Sequence, residues 1–307
     1  MLAAFLTVLP IFLVIALGWA ATRLRLIGEK TGEGLSDYVF VIAIPALLFR
    51  SLVSAKWPDI QPWSFWASYF GALALVWAAA SLVARRAFGR SAEEAVVAGI
   101  ATGYANTVLI GIPLILRVFG EEGAVPLFLL IAVHTPVTIA VATLLVESAG
   151  GAGGKAVSIA RKLARNPIIL AILAGMAWRA FGIPLPDSAM ATIKFIGDSA
   201  APCALFAMGT ALSRYGLGGE PRLLALIVAL KLVVHPLAVW LLASQVFGLP
   251  PLWTAVATVL ASCPAGVNAY LFAERHRVGM ALASGAIAVT TVISIASISF
   301  WIAFATR

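Results

Sequence analysis

Of 307 residues, 62% are hydrophobic and only 11% are charged, against about 25% charged in a soluble domain. That balance excludes a separate aqueous domain and a nucleic-acid-binding module, and describes an integral membrane chain. The net charge of +8 belongs to loops, where it sets orientation and meets anionic lipid.

A membrane-spanning helix needs about 20 mostly apolar residues. Ten stretches qualify, over 2–22, 35–54, 63–84, 93–119, 124–147, 167–183, 188–212, 222–247, 252–273 and 279–305. The first has no basic residue before it and no cleavage site, and reads as a permanent helix. In the second, Asp37 lies in the first turn and reads as a cap, while Arg50, like Glu147 in the fifth, lies near a span end and reads as snorkelling. The third, WSFWASYFGALALVWAAASLVA, has no acid, so a proton-linked carboxylate is excluded there. The fourth, ATGYANTVLIGIPLILRVFG, is interrupted from Asn106 to Pro113. In the fifth, His134 precedes Pro136 and reads as a hydrogen-bonded structural group.

The loop 148–166 holds GGAGG, a flexible hinge, then AVSIARKLARN, a basic amphipathic turn expected on the inner membrane surface. It separates a five-helix repeat at 1–147 from another at 167–307. In the seventh stretch, Lys194 and Asp198 stand four apart and can pair on one helix face. In the eighth, Lys231 and His235 precede Pro236. Lys231 has no acidic neighbour in sequence, so it needs a partner from elsewhere, with Asp198 a candidate, or it attracts an anionic substrate. The ninth, ATVLASCPAGVNAYLFAERH, is interrupted from Ser262 to Asn268. Cys203 and Cys263 lie in apolar segments and read as small packing residues.

Basic residues gather in the loops after segments 1, 3, 5, 7 and 9, among them Arg23, Arg85, Arg86, Arg161, Lys162, Arg214 and Arg275. The other side has fewer: Arg50, Lys56, Arg117, Arg179 and Arg307. The bias puts the odd loops in the cytoplasm and both termini outside. Five plus five helices then insert with opposite orientation. Pro45-Ala-Leu-Leu48-Phe49 and Pro202-Cys-Ala-Leu205-Phe206 share a P-x-x-L-F pattern in counterpart segments, and the interrupted fourth and ninth are also counterparts. Inverted repeats with matched broken helices point to the binding site of a secondary transporter.

In the fourth segment Pro113 is predicted to open a second half-helix, and in the ninth Ser262 to cap one opened by Pro264. If the breaks cross at mid-membrane, two half-helix N-termini can hold a carboxylate. Two C-termini can hold a cation or accept a proton-bearing group. Asn106 and Asn268 each add two donors and an acceptor. The candidate substrate-binding set is therefore Asn106, Thr107, Gly111, Pro113, Ser262, Pro264, Gly266 and Asn268, and the candidate coupling or charge-pair set is Lys194, Asp198, Lys231 and His235. No catalytic motif, metal-ligand cluster or nucleotide loop is present: GEKTGEG lacks the spacing of a phosphate-binding loop. No cofactor is expected, and sodium or proton coupling stays open.

These residues resemble the auxin efflux carrier family, which includes bacterial small-carboxylate permeases and the plant auxin carriers. The resemblance spans nearly the whole chain: NTVLIGIPL at 106–114, NPIILAILAG at 166–175, DSAAPCALFAMG at 198–209, KLVVHP at 231–236 and CPAGVNAYLFAERH at 263–276. It implies ten helices in two inverted repeats, with segments 4 and 9 crossing, and a fold similar to that of bile-acid sodium symporters. It further implies elevator-like alternating access, with segments 1, 2, 6 and 7 as scaffold and homodimer side, and 3–5 and 8–10 as the moving part. Asn106, Pro113 and Pro264 would form the crossing, with Asn268 beside it. The short central loop departs from the long hydrophilic loop of the plant carriers, which removes their regulation and leaves auxin outside the expected substrates. The expectation is a transporter of small organic anions, such as malate, malonate or an aromatic acid, in a bacterial-type inner membrane. The alternatives are a sodium-coupled symporter of the bile-acid type and a non-transporting membrane sensor.

Overall fold

The structure, a computed structural model, describes residues 1–54, 62–150, 165–182 and 184–306. The basic turn expected in the central loop, the Glu147 side chain, Lys56 and Arg307 lie outside this description. The regular structure among the described residues is helical, apart from one isolated two-residue bridge. Seven helical runs are long and apolar enough to cross a membrane, and two shorter apolar helices, Pro167–Phe181 and Pro251–Ser262, accompany them.

The helix Leu2–Arg23 shows why the chain belongs in lipid. Val8, Ile11 and Ile15 are buried, yet Leu6, Leu13 and Leu17 on its other faces are exposed. A helix apolar all round needs an apolar environment on its outer face. Inside, the bundle carries buried hydroxyls such as Ser68, Thr102, Thr258 and Thr290. Many turn back onto their own helix, as Thr258 does onto the Thr254 carbonyl at 2.7 Å.

Leu2–Arg23 packs along Ala200–Leu212, and Ile44–Ser54 packs on Pro167–Phe181 and Asp187–Asp198. A second group pairs Pro62–Phe88 with Ala92–Gly103, and Pro251–Ser262 with His235–Leu241 and Met280–Ala305. Two glycines set the closest approach in the first group. A Cβ on Gly18 would collide with the Phe206 carbonyl, and one on Gly209 with the Ile15 carbonyl. With no hydrophobic drive between helices in lipid, such backbone proximity supplies the packing energy.

Three of the prolines leave the same mark. π-helical turns at Val39–Ala43, Thr107–Gly111 and Leu230–Val234 each end two residues before a proline, Pro45, Pro113 and Pro236. A proline ring clashes with the carbonyl four residues earlier and offers it no N–H. Widening the preceding turn relieves the clash. The Leu232 carbonyl, orphaned by Pro236, instead accepts from Ser297 Oγ at 2.7 Å and Trp301 Nε1 at 2.9 Å.

Some boundaries differ from expectation. The second span starts at Glu29 and runs through its π turn to Ser54, so Asp37 stands in the third turn and caps nothing. Gly28 is the N-cap there, and its extended backbone makes that start possible without a polar side chain.

Candidate functional site

The two interruptions meet. Ala92–Gly103 stops, the chain extends through Tyr104 to Asn106, and Ala105 lies antiparallel to Ala265. The Asn106 N–H donates to the Pro264 carbonyl and the Gly266 N–H to the Tyr104 carbonyl, both at 2.9 Å. Each break thus supplies the partners that the other lacks, as irregular backbone inside a membrane protein requires. Gly266 is needed for this approach: a Cβ there would fall against the Tyr104 ring.

The prolines mark the starts of the half-helices only in part. After the first break the helix begins at Thr107, because Asn106 caps it: its Oδ1 accepts from the Leu109 N–H at 3.2 Å. Pro113 stands, as expected, in the first turn of the α-helix Ile112–Phe119, which follows the π turn closed by the Gly111 N–H to the Asn106 carbonyl at 3.0 Å. After the second break the helix begins at Val267, with Gly266 as an N-cap that has no side-chain bond. Pro264 stays in the extended crossing. Ser262 is the last residue of the preceding helix and donates to the Val259 carbonyl at 2.7 Å, so it caps nothing beyond the break.

Asn106, Thr107, Gly111, Pro113, Pro264 and Gly266 are all buried at this crossing, with Ser262 just before it. Asn106 Nδ2 points to Met208 Sδ at 3.2 Å, which ties the crossing to the Ala200–Leu212 helix. Thr107 Oγ1 is buried without a partner. Asn268 is half-buried and donates to the Tyr104 hydroxyl at 2.6 Å, which is itself 2.8 Å from Thr135 Oγ1.

The charged candidates fall in two separate places. Lys194 pairs with Asp198 at 2.6 Å, as the spacing predicts. Asp198 also takes Arg50 at 2.9 Å, so Arg50 is an ion-pair partner as well as a residue near a span end. Arg50 and Lys194 line a cavity of about 640 Å³ together with Glu121, Glu122, Pro126 and Trp253, and none of the crossing residues lines it. Lys231 does not meet Asp198. It is fully buried, and its ammonium donates to the Ala261 carbonyl at 2.9 Å and lies 3.2 Å from His235 Nδ1. Asp198 already serves two cations. Ala261 sits at the C-terminal end of Pro251–Ser262, where unpaired carbonyls carry partial negative charge.

The family described as membrane transport protein matches residues 3–157 and 155–302. The chain belongs to this family. A transporter from Rhizobium meliloti (strain 1021), named "Putative malonate transporter", is 33% identical over 304 residues, covering 95% of this chain and 92% of that one. The transporter YfdV of Escherichia coli (strain K12) is 23% identical over 313 residues, 96% of this chain and 95% of its own. Auxin efflux carrier component 1 of Arabidopsis thaliana is 32% identical over 124 residues, 38% of this chain and 20% of its own. The molecule is an integral membrane transporter of the auxin-efflux-carrier-like family, not an enzyme.

Four residues of the transporter's crossing were not singled out from sequence. Tyr104 lies inside TGYANT, next to the break, and its position was the available signal. Tyr69, Thr135 and Met208 carried none: each is an ordinary residue of an apolar helix, brought in from far along the chain. His134, read as structural, has Nε2 3.5 Å from the Tyr69 hydroxyl and its ring 4.8 Å from that of Tyr104.

Proposed function

We propose that this transporter carries small organic anions, carboxylates first among them, and binds them at the crossing by alternating access of an elevator type. The observation that supports the reading most is the bridge at Ala105 and Ala265, where two half-helices end and two begin. Two N-termini there favour an anion. The unpartnered Thr107 Oγ1 and the half-buried Asn268 offer polar contacts for its neutral parts. The R. meliloti relative's printed name makes malonate the first compound to try.

The wider architecture in this proposal is ten spans in two inverted repeats, 1–147 and 167–307, joined by a cytoplasmic loop at 148–166. Both termini face outward, and the protein is a homodimer of a bacterial-type inner membrane. The matched breaks support the repeat, and the basic loops support the orientation. The division into two packing groups suits a scaffold and a moving part. Met208 is then the scaffold residue that touches the site.

The test is counterflow of labelled malonate, malate and an aromatic acid in proteoliposomes. Counterflow of at least one acid, lost in Asn268→Ala, supports the reading. Binding that stabilises the protein without any counterflow would instead make it a sensor, and sodium-dependent uptake would make it a symporter of the bile-acid type.

A further inference from the structure

We propose that the Lys231–His235 pair is the proton-coupling site of this transporter, taking up one proton as an organic anion occupies the crossing and releasing it as the anion leaves. The inference rests on the carboxylate reading above.

Lys231 and His235 are both fully buried, side by side, on a helix whose turn has been widened at Leu230–Val234. The groups that face them come from four other elements. Pro62–Phe88 brings Tyr69, whose ring stands between those of His134 and His235 at 5.5 and 5.4 Å. Ala124–Gly150 brings His134. The two breaks bring Tyr104 and Cys263, the latter fully buried two residues beyond Ala261. Met280–Ala305 brings no titratable side chain, only Ser297 and Trp301 on the Leu232 carbonyl. Among the described residues no carboxylate joins them, and Asp198 is held elsewhere by Arg50 and Lys194.

Among the described residues, a cation in this cluster has only a helix C-terminus to oppose it, about half a unit of negative charge. A buried charge without a full counter-charge is costly. An anion at the crossing would complete the balance. Binding of the anion and binding of the proton must then favour each other by the same factor. The cluster also touches the crossing at two points. Lys231 holds the carbonyl of Ala261, just before the second break, and His134 packs on Tyr104, which holds Asn268.

His235 Nε2 and His134 Nδ1 are buried without partners. If Lys231 is an ammonium, it donates to His235 Nδ1 and the imidazole keeps its own proton on Nε2. If Lys231 is neutral, the pair has one proton fewer and an acceptor to spare. One proton added on one side of the membrane and lost on the other completes the cycle. A dianion carried with one proton moves a net charge of −1, and a monoanion moves none.

The experiment uses the full-length protein in proteoliposomes, labelled malonate, and potassium with valinomycin to hold the voltage at zero. With the lumen one pH unit more alkaline, the wild type accumulates malonate about tenfold, and a trapped pH dye reports acid entering with it. Lys231→Gln and His235→Gln, each checked for melting temperature, lose both accumulation and proton entry; should either fail to fold, the other carries the assignment. A lysine that only pins the helix end would leave the accumulation ratio intact in whatever activity survives, and that result overturns the proposal. So does wild-type malonate counterflow that ignores the pH gradient or follows sodium instead, while the transport reading stands. Absence of counterflow for malonate, malate and an aromatic acid overturns the transport reading, and this inference with it.

Discussion

At the first interruption Asn106 uses its oxygen on the Leu109 N–H and its amide on Met208, and is buried. At the second, Asn268 makes no cap, stays half-exposed, and holds Tyr104 across the bridge. The backbones are alike, each donating one N–H to the other's carbonyl at 2.9 Å. The surroundings differ again: a neutral thioether on one side, a buried lysine on the other. Two copies of one backbone device have divided the work. The first secures the geometry and faces the opposing helix group, while the second leaves a polar amide accessible and has the titratable cluster behind it.

Removal of the bridge itself has the largest expected effect. Gly266→Val forces a side chain against the Tyr104 ring, and overpacking of this kind costs about 1–3 kcal/mol. Counterflow should vanish and the melting temperature fall; wild-type behaviour in both would mean that the breaks need not touch. Substitution of the two asparagines comes next in size. Asn106→Ala should lose transport and about 1 kcal/mol of stability, since it removes a helix cap. Asn268→Ala should lose transport more than its stability, because the Tyr104 hydroxyl retains Thr135. Equal melting losses in the two variants would erase the proposed division.

Pro113→Ala should have a smaller effect. With an N–H restored at that position, the π turn at Thr107–Gly111 can relax to a regular helix, turning Asn106 away from Met208 and slowing uptake several-fold. Unchanged kinetics would show that the widened turn is incidental. Lys194→Ala should have the smallest effect. Its pair with Asp198 is largely exposed, and such pairs contribute about 0.2–1 kcal/mol. A large loss of transport there would move attention to the cavity beside Arg50.

The existence and pairing of the breaks were legible because Gly, Pro and Asn stand out in apolar stretches. Their internal starts were legible only at Pro113, in the first turn of Ile112–Phe119, and not at Thr107 or Val267. The preference of proline for a first helical turn says where proline is tolerated, not where a helix begins. At Asn106 a side-chain cap decided the start, and at Gly266 the bridge did. The Lys194–Asp198 pair was legible because four residues bring side chains together on one helix. The partner of Lys231 was not, because a backbone carbonyl thirty residues on leaves no mark in sequence. Met208 was hidden for the same reason, 102 residues from Asn106.

The Leu232 carbonyl has a consequence for how the protein is made. Pro236 deprives it of a donor, and its two partners lie 65 and 69 residues later, on the helix Met280–Ala305. Lipid offers no substitute, and a bare carbonyl there costs several kcal/mol. During synthesis the eighth segment therefore enters the bilayer incomplete and waits for Met280–Ala305 to be threaded in. A nascent chain cut before Ser297 would keep that vacancy, a mark by which membrane quality control could tell a finished transporter from an unfinished one.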